Sequence, residues 1–153
     1  MPTSSRWRTL GILVLLGNAP LLLGTGLLWT RWGESALASL GQKIDGFAAV
    51  AAASEFSMLG FLAAIMALFS LIGQSEAMRR YRINGYLWVL LALMAVTMAE
   101  ISIAFCLSLA LFFPEVSPGS LSRAFIALCG SLGMLVVCLS PCVGLQLRAA
   151  REP

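Results

Sequence analysis

The sequence predicts an all-α fold, a four-helix transmembrane bundle forming a single membrane domain over residues 1–153. Three observations lead there. Of the 153 residues, 59% are hydrophobic and only 11% charged, against about 45–50% and about 25% in soluble domains. Four apolar stretches, approximately 9–30, 46–73, 85–113 and 124–147, each reach the roughly 20 residues that span hydrocarbon. Within them apolar residues run on without a period-two alternation. In lipid the backbone must satisfy itself, so such runs form helices rather than barrel strands. A soluble enzyme, a disordered tail and an ordinary secreted module are excluded, because so few charges could not keep the surface of a soluble domain in water.

The first stretch follows Arg6 and Arg8 and resembles a signal peptide at first sight. Its apolar run is about 20 residues, however, and a signal h-region is roughly 7–15, so it is read as a membrane helix. Asn18 and Pro20 lie in its middle, in Leu-Leu-Gly-Asn-Ala-Pro-Leu-Leu. Pro20 removes a helical hydrogen bond and should bend the helix; Asn18 either caps the kink or contacts a ligand. The 31–45 connection holds Arg31, Glu34, Lys43 and Asp45 and has room for a small amphipathic turn. The second and third helices are joined through Glu76, Arg79, Arg80 and Arg82. Pro114, Pro118 and Gly119 are expected to stop the third helix, with the fourth starting near Ala124. Connections this short make neighbouring helices antiparallel.

Charge sets the expected orientation. Arg6, Arg8, Arg79, Arg80, Arg82, Arg148 and Arg151 fall on the side of both termini, and Arg31, Lys43 and Arg123 on the other. The positive-inside rule then puts the N and C termini in the cytosol. Arg79, Arg80 and Arg82 form a cytosolic basic rim that should attract anionic membrane lipid, at roughly 1 kcal/mol per residue. Trp7, Trp29, Trp32, Tyr81, Tyr86 and Trp88 sit near helix ends, as interfacial anchors do. A net charge of +3, with no basic run interleaved with aromatics, gives no reason to expect nucleic acid as a partner.

His is absent, no metal-ligand spacing occurs, and no nucleotide, hydrolase or metalloprotease motif is present. No catalytic residue, metal or cofactor is therefore expected. Cys106, Cys129, Cys138 and Cys142 all fall inside apolar runs rather than in a disulfide framework. Cys142 is near enough to a helix end to be a candidate for S-palmitoylation.

The chemistry-bearing residues are inside the runs. Glu55 and Glu100 each cost on the order of 2.5–3.5 kcal/mol at mid-membrane, so each invites a role. Their expected depths differ by roughly 6 Å at about 1.5 Å per residue, so the two could approach each other or share a water. Thr97, Glu100, Ala104 and Ser108 recur on one helical face. Three readings are open for the carboxylates: a proton or cation site, hydrogen-bonding glue between helices, and contact with a polar group of another membrane protein. Small residues form two helical stripes, Ala53, Ser57, Gly60 and Ala64 in the second helix and Ala95, Ala99, Ser102 and Cys106 in the third. Such stripes allow close backbone approach in lipid.

Thr9-Leu-Gly-Ile-Leu through Leu28-Trp-Thr-Arg-Trp32, and Phe56-Ser-Met-Leu-Gly-Phe-Leu-Ala-Ala-Ile-Met-Ala-Leu-Phe69, resemble the first two helices of the claudin-like four-transmembrane superfamily, with its peripheral myelin and epithelial membrane proteins. The resemblance implies four helices with both termini inside. The first outer loop here lacks the family's Gly-Leu-Trp and paired Cys, so its barrier or pore function is not implied.

The expected function is non-enzymatic: a small multi-pass protein of the plasma membrane or an endomembrane, acting as an accessory or membrane-organising tetraspan. It would associate laterally with a larger membrane protein or with itself, using Glu55, Glu100, Asn18, Thr97 and Ser108 as polar contacts. The alternatives are proton- or cation-coupled transport through a Glu55/Glu100 pair and a small lipid-handling enzyme.

Overall fold

A computed structural model describes residues 4–28, 30–71, 76–113 and 118–149. Seven helices are found among them: α1 (Ser4–Gly17), α2 (Ala19–Leu28), α3 (Arg31–Gly41), α4 (Ile44–Leu71), α5 (Glu76–Ile83), α6 (Tyr86–Ala110) and α7 (Pro118–Ala149). Four spans are long and apolar enough to cross a membrane: Ser5–Leu28, which joins α1 and α2, then Ile44–Phe69, Tyr86–Ala110 and Gly119–Leu145. The expected bundle of four apolar helices is therefore present. At about 1.5 Å per residue the 28 residues of α4 run for about 42 Å, beyond the roughly 30 Å of hydrocarbon.

Two boundaries differ from the sequence expectation. The first span is broken at Asn18. The amide of Asn18 still donates to the Val14 carbonyl at 3.0 Å and that of Leu22 to the Asn18 carbonyl at 3.2 Å, so the chain bends without parting. Proline at position 20 has no N–H to offer the carbonyl of Leu16, four residues back. The last helix begins at Pro118 rather than near Ala124. Proline suits a first helical turn, where its missing N–H would have had no intrahelical partner; Pro118 starts a helix that it was expected to delimit.

The packing order follows from which spans touch. α6 and α7 pack on each other along the middle of the bundle; α4 lies mainly on α6, and α1 and α2 lie mainly on α7. Among the described residues the backbone of α4 does not come close to that of α1 or α2. The section is thus a rhombus whose short diagonal is the α6–α7 pair. Its core contains Met58, Leu62 and Ile65 of α4, Leu90, Leu93, Met94 and Ile101 of α6, and Met134, Cys138 and Leu145 of α7. A second, smaller cluster closes one end, where Leu37 and Leu40 of α3 and Phe47 of α4 cover Ala48, Leu111, Leu121 and Ala124. The connection expected to hold an amphipathic turn is this 11-residue helix. It starts on the Thr30 hydroxyl, which accepts from the Gly33 amide at 3.3 Å, as N-caps do.

Glycine sets the closest approach. A Cβ on Gly133 would collide with the Gly17 carbonyl oxygen and the Pro20 ring, and one on Gly17 would collide with Met134. The kinked segment and α7 therefore meet backbone to backbone. In lipid, where water provides no drive between helices, such close van der Waals packing is what holds them together. At the opposite end from α3, Gly85 turns α5 into α6 with φ +70°, and the Arg6 guanidinium packs against it. Trp7 and Trp88 meet edge to face there, ring centroids 4.8 Å apart, and Tyr81 and Tyr86 lie 6.0 Å apart. Trp29 and the side chain of Trp32 lie outside the described residues.

Replacing Gly133 by Ala should lower bundle stability by about 1–3 kcal/mol, the usual cost of overpacking, because the obstacle is backbone. Gly144→Ala, with open space around its site, should cost nothing measurable. Thermal unfolding of the two variants in one detergent, followed by circular dichroism, checks the contrast.

Candidate functional site

The polar residues expected to act together are divided among three places. Glu100 and Asn18 meet. Asn18 sits at the break of the first span, and its side-chain Nδ2 donates to Glu100 Oε1 at 3.2 Å and to the Val14 carbonyl at 3.0 Å. Both partners are acceptors, so the amide nitrogen is fixed toward them, and Oδ1 faces Gly130 of α7. Glu100 Oε2 is buried without a hydrogen-bond partner. Ser131 of α7, fully buried, donates to the Leu128 carbonyl at 2.9 Å. These groups, with Leu21, Ile103, Ala127 and Gly130, line a cavity of about 190 Å³.

The cavity has a simple origin. α2 and α6 both pack on α7 but not on each other, and the gap between them is floored by the small residues Ala127, Gly130 and Ser131. Ile103 at its rim is 59% exposed, so the cavity reaches the outer wall of the bundle.

Glu55 is somewhere else. It is 0% exposed on the inner face of α4, beside the Ser108 hydroxyl of α6. Neither carboxylate oxygen of Glu55, nor Ser108 Oγ, completes a hydrogen bond. Ser108 lies eight residues beyond Glu100 on the same helix, about 12 Å along its axis. The expected approach of Glu55 to Glu100 therefore does not occur: each carboxylate faces a different neighbour, Ser108 and Asn18 respectively. Glu55 lies at the level of Ser108, so the two carboxyls differ in depth along the bundle as well as in the neighbours they face. Thr97 is in a third place. It donates to the Leu93 carbonyl at 2.8 Å and neighbours Cys138 in the α6–α7 seam.

Cys142 is 1% exposed, and its thiol donates to the Cys138 carbonyl at 3.1 Å. The thiol of the residue named as a palmitoylation candidate is thus packed inside the bundle, although it lies near a helix end along the chain. The small-residue stripes are the reverse case. Ala53, Ser57, Gly60 and Ala64, and Ala95, Ala99, Ser102 and Cys106, are exposed. Inside the bundle α4 instead presents Ala48, Ala51, Ala52 and Glu55 to its neighbours, so the stripes are not the contacts between helices of this chain.

The basic rim is partly neutralised. Glu76 accepts from Arg79 Nε at 2.8 Å and from Arg80 Nε at 3.3 Å. The hydrogen bonds from Arg79, and then from Arg80, hold its carboxyl below the ordinary value of 4.5.

Sequence reading missed Ser131, and with it Gly17, Gly130 and Gly133. The signal was available as Gly130-Ser131-Leu-Gly133 in an otherwise Leu- and Val-rich helix. It lacked the four-residue regularity of the two stripes.

Glu55→Met should leave the bundle as stable or raise its stability by roughly 1–3 kcal/mol, since it removes orphaned oxygens and conserves volume. A thermal melt showing a comparable loss would mean that Glu55 has a partner in solution. The Glu76 ion pairs follow a different pH rule. A carboxyl with a depressed folded value contributes stability that is complete above its unfolded value and lost as pH falls through the folded one. The protection factors of the α5 amides, with the intrinsic pH dependence of exchange divided out, should therefore be constant from neutral pH down to about 5 and fall only below 4.5.

No family model matches the chain, and no curated protein or solved structure matches it either.

Proposed function

We propose that this is a non-enzymatic tetraspan membrane protein that associates laterally, through α4 and α6, with a larger membrane protein or with a second copy of itself. The observation that carries the reading is the exposure of two stripes of small residues on α4 and α6. Bulky residues are exposed on every span, Leu15 and Leu23 on α1 and α2, Phe56 and Phe61 on α4, Leu91 and Ile103 on α6. On α4 and α6 the exposed faces contain Ala53, Ser57, Gly60 and Ala64, and Ala95, Ala99 and Ser102. Ser57 donates to the Ala53 carbonyl and Ser102 to the Met98 carbonyl, both at 2.8 Å. The stripes thus offer shallow, hydrogen-bond-satisfied surfaces on which another helix can lie closely. Phe56 and Phe105, 6.4 Å apart, bridge α4 and α6.

In this reading the arginine-rich end, with Arg6, Arg8, Arg79, Arg80 and Arg82, faces the cytosol by the positive-inside rule. The claudin-like resemblance is kept as part of the same proposal, since it concerns the helical layout and not the first loop.

The test is chemical crosslinking and co-purification in mild detergent. Wild type should run as an oligomer or carry a partner. Gly60→Leu with Ala64→Leu, or Ala99→Leu with Ser102→Leu, should reduce that association about tenfold or more while leaving the melting temperature unchanged, because the added bulk points away from the core. A wild type that runs as a lone monomer, or an association untouched by both double variants, would overturn the reading.

A further inference from the structure

The geometry points to a lipid site that does not depend on lateral association: the cleft between α1 and α6 at the arginine-rich end holds an anionic phospholipid, its phosphate on Arg6 and the start of an acyl chain below. The cleft has a volume of about 160 Å³. Thr9 and Leu13 of α1, Tyr81 of α5, Tyr86 of α6 and Pro141 of α7 form its accessible walls, each half-buried or exposed. Val89 and Leu90 at 3% exposure and Leu93 at 0% close its floor. An occupant therefore rests in the cleft and is not enclosed by it. An apolar space of about 150 Å³ takes a benzene ring, so there is room for a few chain carbons. Past Tyr81 and Pro141 a second cleft, of about 220 Å³, continues along Gly144 and Leu145.

Depth fixes the kind of occupant. Trp7 follows Arg6 in the chain and Trp88 lies two residues after Tyr86, and their rings meet with centroids 4.8 Å apart. Aromatic residues of this kind sit at the headgroup level, whereas Leu13 and Leu93 lie inside apolar spans. The site joins a polar level to a hydrocarbon level, and its occupant must do the same. Charge fixes the sign. The Arg6 guanidinium packs on Gly85, the chain neighbour of Tyr86, and Arg6 lies one helical turn from Thr9, so the cation stands at the mouth of the cleft. Among the described residues Arg6 enters no ion pair. Glu76, the sole acidic residue of 1–17, 76–93 and 138–149, is held by Arg79 and Arg80. A zwitterionic headgroup brings a cation that finds no carboxylate here, whereas an anionic one leaves its phosphate to the arginine. Basic pockets between membrane helices hold anionic headgroups for this reason. Tyr81 and Tyr86 add hydroxyls that can donate to phosphate or ester oxygens.

The full chain carrying Trp29→Phe and Trp32→Phe keeps Trp7 and Trp88 as its tryptophans, so its fluorescence reports on the mouth of the cleft. In phosphatidylcholine nanodiscs, dibrominated phosphatidylglycerol should quench it with an affinity about tenfold above that of dibrominated phosphatidylcholine, the factor of one charge-assisted hydrogen bond. Arg6→Gln should bring the two lipids within about twofold of each other, and Arg6→Lys, which keeps the charge, should retain the preference. Arg8→Gln removes the same charge two residues away on the opposite face of α1; it should change the preference less than about twofold, since that charge is exposed and screened. Leu13→Phe fills the cleft, leaves every charge in place and should weaken phosphatidylglycerol about threefold or more. Inorganic phosphate in excess, at matched ionic strength, should not displace the lipid. Equal quenching by the two lipids, equal losses in Arg6→Gln and Arg8→Gln, binding untouched by Leu13→Phe, or displacement by inorganic phosphate would overturn the assignment. None of these results bears on the α4 and α6 crosslinks.

Discussion

The backbone contact between Gly17 and Gly133 is the constraint on which the rest of the arrangement depends. A bilayer provides no hydrophobic drive between helices, so the first span holds to α7 by approaching closely enough for dispersion to act. Only glycine at both positions permits that approach, and the Pro20 ring fills the space beside it. The bend at Asn18 brings the two backbones together at this level. It also turns the Asn18 side chain toward α6, where Glu100 accepts from it. A kink, a contact and a polar pair are thus one feature seen from three sides.

That contact also accounts for the cavity. With α1 and α2 held against α7, and α6 held against the other flank of α7, the space between α2 and α6 has small residues behind it. A larger side chain at Gly130 would fill it: a Cβ there would already meet Leu21 at 2.9 Å. The polar groups around that space are satisfied unequally. Asn18 is saturated as a donor, and Glu100 keeps one oxygen without a partner. The same incompleteness recurs at Glu55 and Ser108, but there the surroundings are closed and no cavity is lined by these residues among the described pockets.

Much of the fold was legible because length and apolar content are properties of a segment by itself. The four spans could be read from the runs alone; charges spaced along the 31–45 connection suggested only a small amphipathic turn, where the structure has the 11-residue helix α3. Start and stop signals were read less well at Pro118, because proline ends one helix by the same chemistry that begins another. The candidate site was legible in part. Glu55, Glu100 and Asn18 stood out because a polar residue in lipid is costly wherever it points. Which of them meet was not legible, because helix rotation is set by packing that a single helix does not encode. Antiparallel spacing put Glu55 and Glu100 within roughly 6 Å in depth and made them look like a pair, while packing sets Glu55 beside Ser108, about 12 Å along α6 from Glu100, and Glu100 on Asn18. Cys142 shows the same limit in reverse, a residue near a helix end along the chain but deep in the bundle. Regular spacing drew attention to the Ala, Ser and Gly stripes, which proved to face outward, while the irregular Gly130–Gly133 pair carried the contact.

The connectivity of the rhombus has a consequence for biosynthesis. The first span to leave the ribosome packs chiefly on the last, since α1 and α2 rest mainly on α7. Gly133 is made about 110 residues after Pro20; at roughly 5–20 residues per second that delay is on the order of ten seconds. Throughout it the Asn18 amide already has Val14 and then Glu100 to donate to, while Gly17 and Pro20 stand without the Gly133 backbone that packs on them. Nascent chains halted before α7 therefore leave this apolar face of the first span uncovered until the final helix arrives.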